Sequence, residues 1–271
     1  LTPRLVPKPA LSNAVALSSL NFNFARLIGP AAAGWAIATV GVGWTLGVCV
    51  ILFAPVIAIL STLSPRAAEG APPIKTTMLR AIAEGARFVW RTPLIRAAMT
   101  LTGVFALIVR GMLELLPAIA DGVFARGAAG LGELMAAAGA GALLAAIFLS
   151  SRGSDDGDRL PLRALIAIFA GFTAAMALAA APTWPLALIA TAASGFCGTM
   201  VGVSLQSVVQ LNLTDDRRGT VMSLWVMVGI GAAAVGAIFM GALADAIGLD
   251  AALIGGAATG MAVSAWLMLK V

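Results

Sequence analysis

The sequence contains no histidine and no tyrosine, and its two cysteines, Cys49 and Cys197, lie far apart inside apolar runs. Without imidazole there are no histidine metal sites and no histidine-based nucleophilic triads, and two isolated thiols form no CxxC redox motif. A lone cysteine in an apolar helix is usually a small packing residue. Charge is scarce as well, since Asp, Glu, Lys and Arg make up 11% of the 271 residues.

The sequence is rich in apolar residues. They form 61% of the chain, and the mean hydropathy is +1.01. A soluble domain is about half apolar and a quarter charged, so this composition indicates a protein whose outer surface faces lipid. The net charge of +5 does not indicate nucleic acid binding, because the basic residues are spread over short connectors between apolar runs, as in proteins that cross a membrane repeatedly.

Apolar runs of about 20 residues are long enough to cross a bilayer as helices. The sequence predicts an all-α polytopic membrane protein with eight such spans, at residues 14–40, 44–63, 97–117, 130–150, 162–181, 185–209, 220–244 and 249–269. Almost every Lys and Arg of the connectors falls on one side, and the opposite connectors hold only Arg126. By the positive-inside rule the basic side is cytoplasmic and carries both ends of the chain.

The longest connector, 64–96, divides the spans into residues 1–63 and 97–271. Its second part, TTMLRAIAEGARFVWRTP, places Arg80, Glu84, Arg87 and Arg91 on one stripe of a helix. This pattern predicts an amphipathic helix on the cytoplasmic leaflet. A helical linker without lipid contact and a partner-binding helix remain alternatives.

Glycine spacing suggests an internal repeat between the first and seventh spans. The matching sets are Gly29, Gly34 and Gly41 against Gly236, Gly241 and Gly248, with identical gaps. Repeats of this kind build many secondary transporters, whose substrate sites lie between the halves. If 97–271 is a complete six-span half, residues 1–63 are the last two spans of the other half. We therefore expect four preceding helices, and expect this chain, which starts at Leu1 without a leader segment, to be part of a longer protein.

Four stretches together resemble the major facilitator superfamily, in its branch of drug and siderophore exporters. They are NFARLIGPAAAGWAIATVG, EGARFVWRTPLIR, LLPAIADGVFARGAAGLGELMAAAGAGALLA and DDRRGTVMSLWVMVGIGAAAVGAIFMGALADAIG. The resemblance covers essentially the whole chain, as helices five to twelve of a twelve-helix transporter. It implies a six-helix C-terminal bundle preceded by the last two helices of an N-terminal bundle.

The first of these stretches is similar to the antiporter motif of the family's fifth helix. Gly29, Pro30 and Gly34 match it, while Ala25 and Ala33 stand where glycine is commoner. The resemblance implies export rather than import.

The same segment has a physical reading of its own. Pro30 has no amide hydrogen, so the carbonyl of Arg26 loses its helical partner and the helix kinks. Ala25, Gly29 and Ala33 form a stripe of small residues that allows a neighbouring helix to approach closely. We expect kink and stripe to act together in helix packing or gating.

Arg26 carries a charge into this span, with Asn21 and Asn23 about one turn away. A charge near the bilayer centre costs ~2.5–3.5 kcal/mol, and such residues usually face a cavity or pair inside the bundle. Two interpretations stay open. Arg26 contacts anionic substrate groups or a carboxylate in a central cavity, or it forms a structural pair.

Further polar residues lie within the predicted spans. Arg110 and Glu114 are four residues apart and can pair on a helix; alternatively Glu114 is a proton carrier. Glu133 is a proton carrier or an interfacial acid with Arg126 as a surface partner. Gln206 lies near the cytoplasmic end of its span, where it lines an inner vestibule or simply faces the interface.

These features predict a secondary transporter in a bacterial inner membrane, exporting a small amphiphilic compound by alternating access in exchange for protons. No Walker A motif is present, so we expect no ATP and no cofactor. The expected partners are a small-molecule substrate, membrane lipid and the four preceding helices, without nucleic acid or metal. A polytopic enzyme needs clustered catalytic groups, which this sequence does not have. A truncated, transport-inactive protein or assembly subunit is the remaining alternative.

Overall fold

The computed structural model describes residue 36 and residues 39–41, 43–59, 61–62, 78–151 and 158–270. Within these residues the chain is helical and contains no strand. The helices are α1 (Gly43–Ile59), α2 (Met78–Arg91), α3 (Pro93–Val123), α4 (Gly127–Ser151), α5 (Leu162–Ala179), α6 (Trp184–Leu211), α7 (Asp215–Ile247) and α8 (Leu249–Met268).

Six of these helices, α3 to α8, are long and apolar enough to cross a membrane. They correspond one to one with the last six predicted spans, which are thereby confirmed as helices. The predicted count of eight is not confirmed. The span at 14–40 falls largely outside the described residues, and the predicted span 44–63 is described only in part, by the apolar helix α1 and residues 61–62.

Proline marks the starts of several helices. Pro93 opens α3 after the extended residue Thr92, Pro161 precedes α5, and Pro185 lies in the first turn of α6. Proline suits the first turn because its missing N–H would have no helical partner there, and its ring forces the preceding residue out of the helical region. The turn between α7 and α8 is a single residue, Gly248, whose φ of 91° is readily available only to glycine.

The six long helices pack side by side with alternating direction. α6 contacts α4, α5 and α3, while α7 packs on α3 and α8, and α8 packs on α5. One apolar core runs through them and includes Phe172 of α5, which is fully buried and lies with its ring centroid 5.7 Å from that of Phe105 of α3. Because the directions alternate, the starts of α3, α5 and α7 lie at the same end of the bundle as the end of α8.

Helix α3 is irregular in its second half. A π-turn spans Ala106–Arg110 and another spans Ile119–Val123, with Pro117 between them. The ring of Pro117 would clash with the carbonyl of Leu113, four residues earlier, in a regular α-helix. The helix has a tighter turn at this point, in which Glu114 N–H donates to the Gly111 carbonyl, three residues earlier, at 3.2 Å. π-turns inside helices are frequent at functional sites.

The predicted helix in the long connector is present as α2, and it packs against α7. Gly85 is buried at this contact, and the two helices are so close that a methyl group added to it would lie 2.7 Å from Thr220 Cγ2. The guanidinium of Arg217 in α7 lies 4.6 Å from the centre of the Phe88 ring. The opposite face carries the predicted charged stripe, with Arg80, Glu84, Arg87 and Arg91 all exposed, and an ion pair of 3.2 Å joins Arg80 and Glu84.

Candidate functional site

Several residues singled out in the sequence lie outside the described part of the chain. They are Arg26, Asn21, Asn23, Ala25, Gly29, Pro30, Ala33 and Gly34. Their roles stay predictions from the sequence.

Arg110 and Glu114 do not form the expected ion pair. Both side chains are exposed, and neither belongs to the salt bridges between described residues. The reason is local geometry. Arg110 closes a π-turn and Glu114 lies in the tightened turn before Pro117, so their spacing is not that of a regular helix, in which residues four apart meet.

Glu133 is held in a cluster at the opposite end of the bundle from α2. The Nε1–H of Trp184 donates to Glu133 Oε2 at 2.7 Å, and Arg126 Nη1 lies 3.8 Å from the same oxygen. The Arg126 guanidinium stacks 4.6 Å from the Trp184 ring centre, and Phe124 meets that ring edge-on at 5.2 Å. The predicted contact between Arg126 and Glu133 is thus present, while the role of Trp184 as hydrogen-bond donor was not visible in the sequence.

The cluster allows a test of what Glu133 contributes. Glu133→Ala removes the acceptor of the Trp184 N–H, whose side chain is 8% exposed. A hydrogen bond to a charged group contributes ~1.5–3 kcal/mol, and half-exposure of the ion pair reduces this, so we expect a loss of about 1–2 kcal/mol in thermal unfolding of the purified protein. Glu114→Ala is the matched control, because Glu114 is exposed and has no ion pair among the described residues. Equal melting temperatures for the two variants would contradict a structural role of the cluster.

Gly236 lies at a close crossing of α7 and α3. A methyl group on Gly236 would lie 2.6 Å from the carbonyl carbon of Leu107, and one on Gly111 would lie 2.8 Å from the carbonyl carbon of Gly236. Carbon atoms in contact prefer about 3.5–4.0 Å, so the two backbones touch without room for side chains. The other singled-out glycine, Gly241, has only a Leu115 methyl at 3.9 Å from such a group.

A second crossing, between α4 and α6, was not singled out from the sequence. A methyl group on Gly141 would lie 2.7 Å from the carbonyl carbon of Ala192, and one on Gly195 would lie 2.8 Å from that of Ala138. The runs AAAGAGALLAA and TAASGFCG supply small residues on both helices. Small residues are the known signal for close packing of membrane helices, but in this chain they are so common that the signal does not single out these two positions.

Gln206 is half-buried on α6. Ser204, two residues earlier, is buried, and its hydroxyl has no hydrogen-bond partner among the residues that the structure describes. Gln210, one turn further, is exposed. Gln206 and Gln210, four residues apart, share one face of α6 near the end of the bundle that carries α2, whereas Ser204 lies on another face.

A groove of about 600 Å³ lies at the same end, between α2, α3, α7 and α8. Its walls are apolar except for Arg96, Thr100 and Thr259. Both threonine hydroxyls donate to backbone carbonyls of their own helices, Thr100 to Arg96 and Thr259 to Gly255. Among the described residues, Arg96 is therefore the one charged group on the groove wall.

The described residues hold no group of three or more His, Cys, Asp or Glu side chains that could bind a metal. The charged residues of the described part lie mostly at the two ends of the bundle, with the exceptions of Arg110 and Glu114 in the irregular half of α3. A bundle of apolar helices of alternating direction that touch at glycines is the architecture of a polytopic membrane protein.

Comparison with known families gives the class of this protein. The model of a family described as "Transmembrane secretion effector", within the major facilitator superfamily, matches residues 1–271. The chain belongs to this family of major facilitator superfamily transporters.

Relatives with a curated description are similar over most of the chain. The enterobactin exporter EntS of Shigella boydii serotype 18 is 28% identical over 242 residues, which are 89% of this chain and 57% of that protein. EntS of Escherichia coli is 27% identical over the same shares. The chain thus spans 57% of the length of these relatives.

A solved structure shares the fold. The crystal structure of a bacterial homolog to the human lysosomal transporter Spinster, in an inward-facing and unoccupied conformation, aligns with a TM-score of 0.55. The alignment covers 99% of this chain and 71% of the Spinster homolog, at 18% sequence identity. The likeness shows that the two chains share an overall fold.

Proposed function

We propose that the protein containing this chain is a secondary transporter that exports a siderophore-like or other small amphiphilic compound by alternating access. The observation that carries the proposal is the family match over all 271 residues, together with relatives described as enterobactin exporters. The absence of a nucleotide-binding motif from the sequence supports an ion gradient as the energy source.

The orientation follows from charge. Arg80, Arg87 and Arg91 of α2 lie at the bundle end that also carries Arg96 and Lys270. Basic residues accumulate on the cytoplasmic side of a membrane protein, so this end faces the cytoplasm. The cluster around Glu133 then lies on the periplasmic side of a bacterial inner membrane.

Proton exchange requires a carboxyl group that gains and loses a proton during the cycle. Glu133 already accepts from Trp184 and contacts Arg126, whereas Glu114 makes no ion pair within the described residues and follows the π-turn of α3. We therefore assign the proton-carrying role to Glu114 rather than Glu133. Arg26, in the span at 14–40, is the proposed contact for anionic groups of the substrate.

Efflux from cells that express the entire gene product containing this chain tests both the export activity and its coupling to protons. We expect export of a siderophore such as enterobactin, or of an amphiphilic drug, to stop when an uncoupler dissipates the proton gradient. We also expect Glu114→Gln to flatten the pH dependence of export, while Glu133→Gln, its matched acid-to-amide control, keeps it. Export that continues in the presence of the uncoupler would refute proton coupling. Failure to export any of the siderophores and amphiphilic drugs tested would refute the transport function.

A further inference from the structure

The groove between α2, α3, α7 and α8 has the shape and chemistry of a binding site for one membrane lipid. It runs along α3 from Arg96 to Ile108. Twelve residues at ~1.5 Å each give a length of about 18 Å. Since the hydrocarbon core of a bilayer is about 30 Å thick, the groove has about the depth of a single leaflet.

The groove walls match an acyl chain. Met99, Leu107, Leu224 and Val228 contribute apolar side chains from two helices. The hydroxyls of Thr100 and Thr259 already donate to carbonyls of their own helices. Between Arg96 and Ile108 the described residues of the walls therefore offer a ligand no free polar side chain. A polar substrate would lose its hydrogen bonds in this groove, whereas a hydrocarbon chain loses none.

The mouth of the groove matches an anionic headgroup. Arg96 Nη1 donates to the Trp90 carbonyl at 3.2 Å, and its guanidinium lies 5.9 Å from the Trp90 ring centre, which fixes the arginine at the groove wall. Guanidinium has five N–H donors in a planar fork suited to phosphate. The Trp90 side chain is 68% exposed beside it, as is typical of tryptophans at the headgroup level.

We propose that this groove binds one anionic phospholipid, with its phosphate at Arg96 and one acyl chain between α3, α7 and α8. Helix α2 closes the groove at its headgroup end with Val89 and Trp90. The lipid is a structural ligand of the bundle, held where the connector helix α2 meets the spans. Its binding is independent of what the protein transports.

Native mass spectrometry of the gene product, purified in detergent and titrated with phosphatidylglycerol, tests the headgroup contact. We expect Arg96→Gln to weaken binding about fivefold, the factor that corresponds to ~1 kcal/mol for one basic residue at an anionic lipid surface. Arg87→Gln is the matched control, because it removes the same charge from the exposed stripe of α2 without touching the groove. Equal weakening by both variants, or equal binding of phosphatidylcholine by the unchanged protein, would overturn the proposal.

The acyl-chain contact has a test of its own in the same titration. Val263→Trp fills the groove from α8, so we expect the tightly retained lipid to be lost. Val235→Trp is the control on the exposed face of α7, where Val235 is 58% exposed and outside the groove. If the Val263 variant retains lipid as the control does, the lipid binds to the outer surface and the groove is not its site.

Discussion

Gly195→Ala is expected to destabilise the bundle by about 3 kcal/mol, at the upper end of the usual cost of overpacking. The added methyl group would lie 2.8 Å from the carbonyl carbon of Ala138 and still closer to its oxygen. The obstacle is backbone rather than a flexible side chain, so α4 and α6 have to separate. Since Gly141 touches Ala192 and Phe196 in the same crossing, separation at one point loses contacts along the whole pair.

Thermal unfolding of the purified protein measures this loss. For a chain of this size, 3 kcal/mol corresponds to a fall in melting temperature of roughly 6–12 °C. Gly202→Ala is the matched control on the same helix, because a methyl group there meets no atom within 4 Å. Alanine is ~1 kcal/mol more favourable than glycine inside a helix, so the control is expected to be unchanged or slightly more stable. Equal melting temperatures of the two variants would contradict the backbone contact between α4 and α6 at Gly195.

Gly236→Ala is expected to impair the proposed transport more than its effect on stability explains. Its methyl group would press on the carbonyl of Leu107, which lies in the π-turn at Ala106–Arg110. A π-turn is a place where a helix changes its bend readily, and alternating access requires helices to move relative to one another. The added methyl group between α7 and the π-turn therefore stabilises one bend of α3 relative to the other bends that the transport cycle requires.

Efflux per folded molecule separates these two effects. We expect a decrease of about tenfold, which a rise of ~1.4 kcal/mol in the barrier of the transport cycle produces. Gly231→Ala is the control on α7, where an added methyl group meets nothing within 4 Å. Normal efflux by the folded fraction of the Gly236 variant would show that the crossing serves stability alone.

The fold was largely predictable from the sequence because lipid imposes a simple pattern. An apolar run long enough to cross the bilayer has to satisfy its own backbone hydrogen bonds, so it becomes a helix. The predicted spans from 97–117 to 249–269 agree with α3 to α8 within a few residues at most ends. Helix α2 was predictable for a related reason, since its charged stripe follows the helical period.

The candidate site was less predictable. The pairing of Arg110 with Glu114 rested on a regular helix, and Pro117 together with the π-turn removed that regularity. Glu133 was recognised as a neighbour of Arg126, but its stronger partner, Trp184, is 51 residues away in the chain. No local pattern encodes that hydrogen bond, because it depends on how α4 and α6 pack.

Composition and periodicity alone determined that this chain enters a membrane, where the six spans α3 to α8 lie and which end of them is basic. They could do so because burial in lipid acts on each segment separately. Tertiary packing decided which glycines touch, namely Gly141 with α6 and Gly236 with α3, among 30 glycines in the chain. It also decided that α2, α3, α7 and α8 leave a groove with Arg96 on its wall. These features depend on the relative positions of helices distant in sequence, and the contacts that set those positions exist only after the helices have packed.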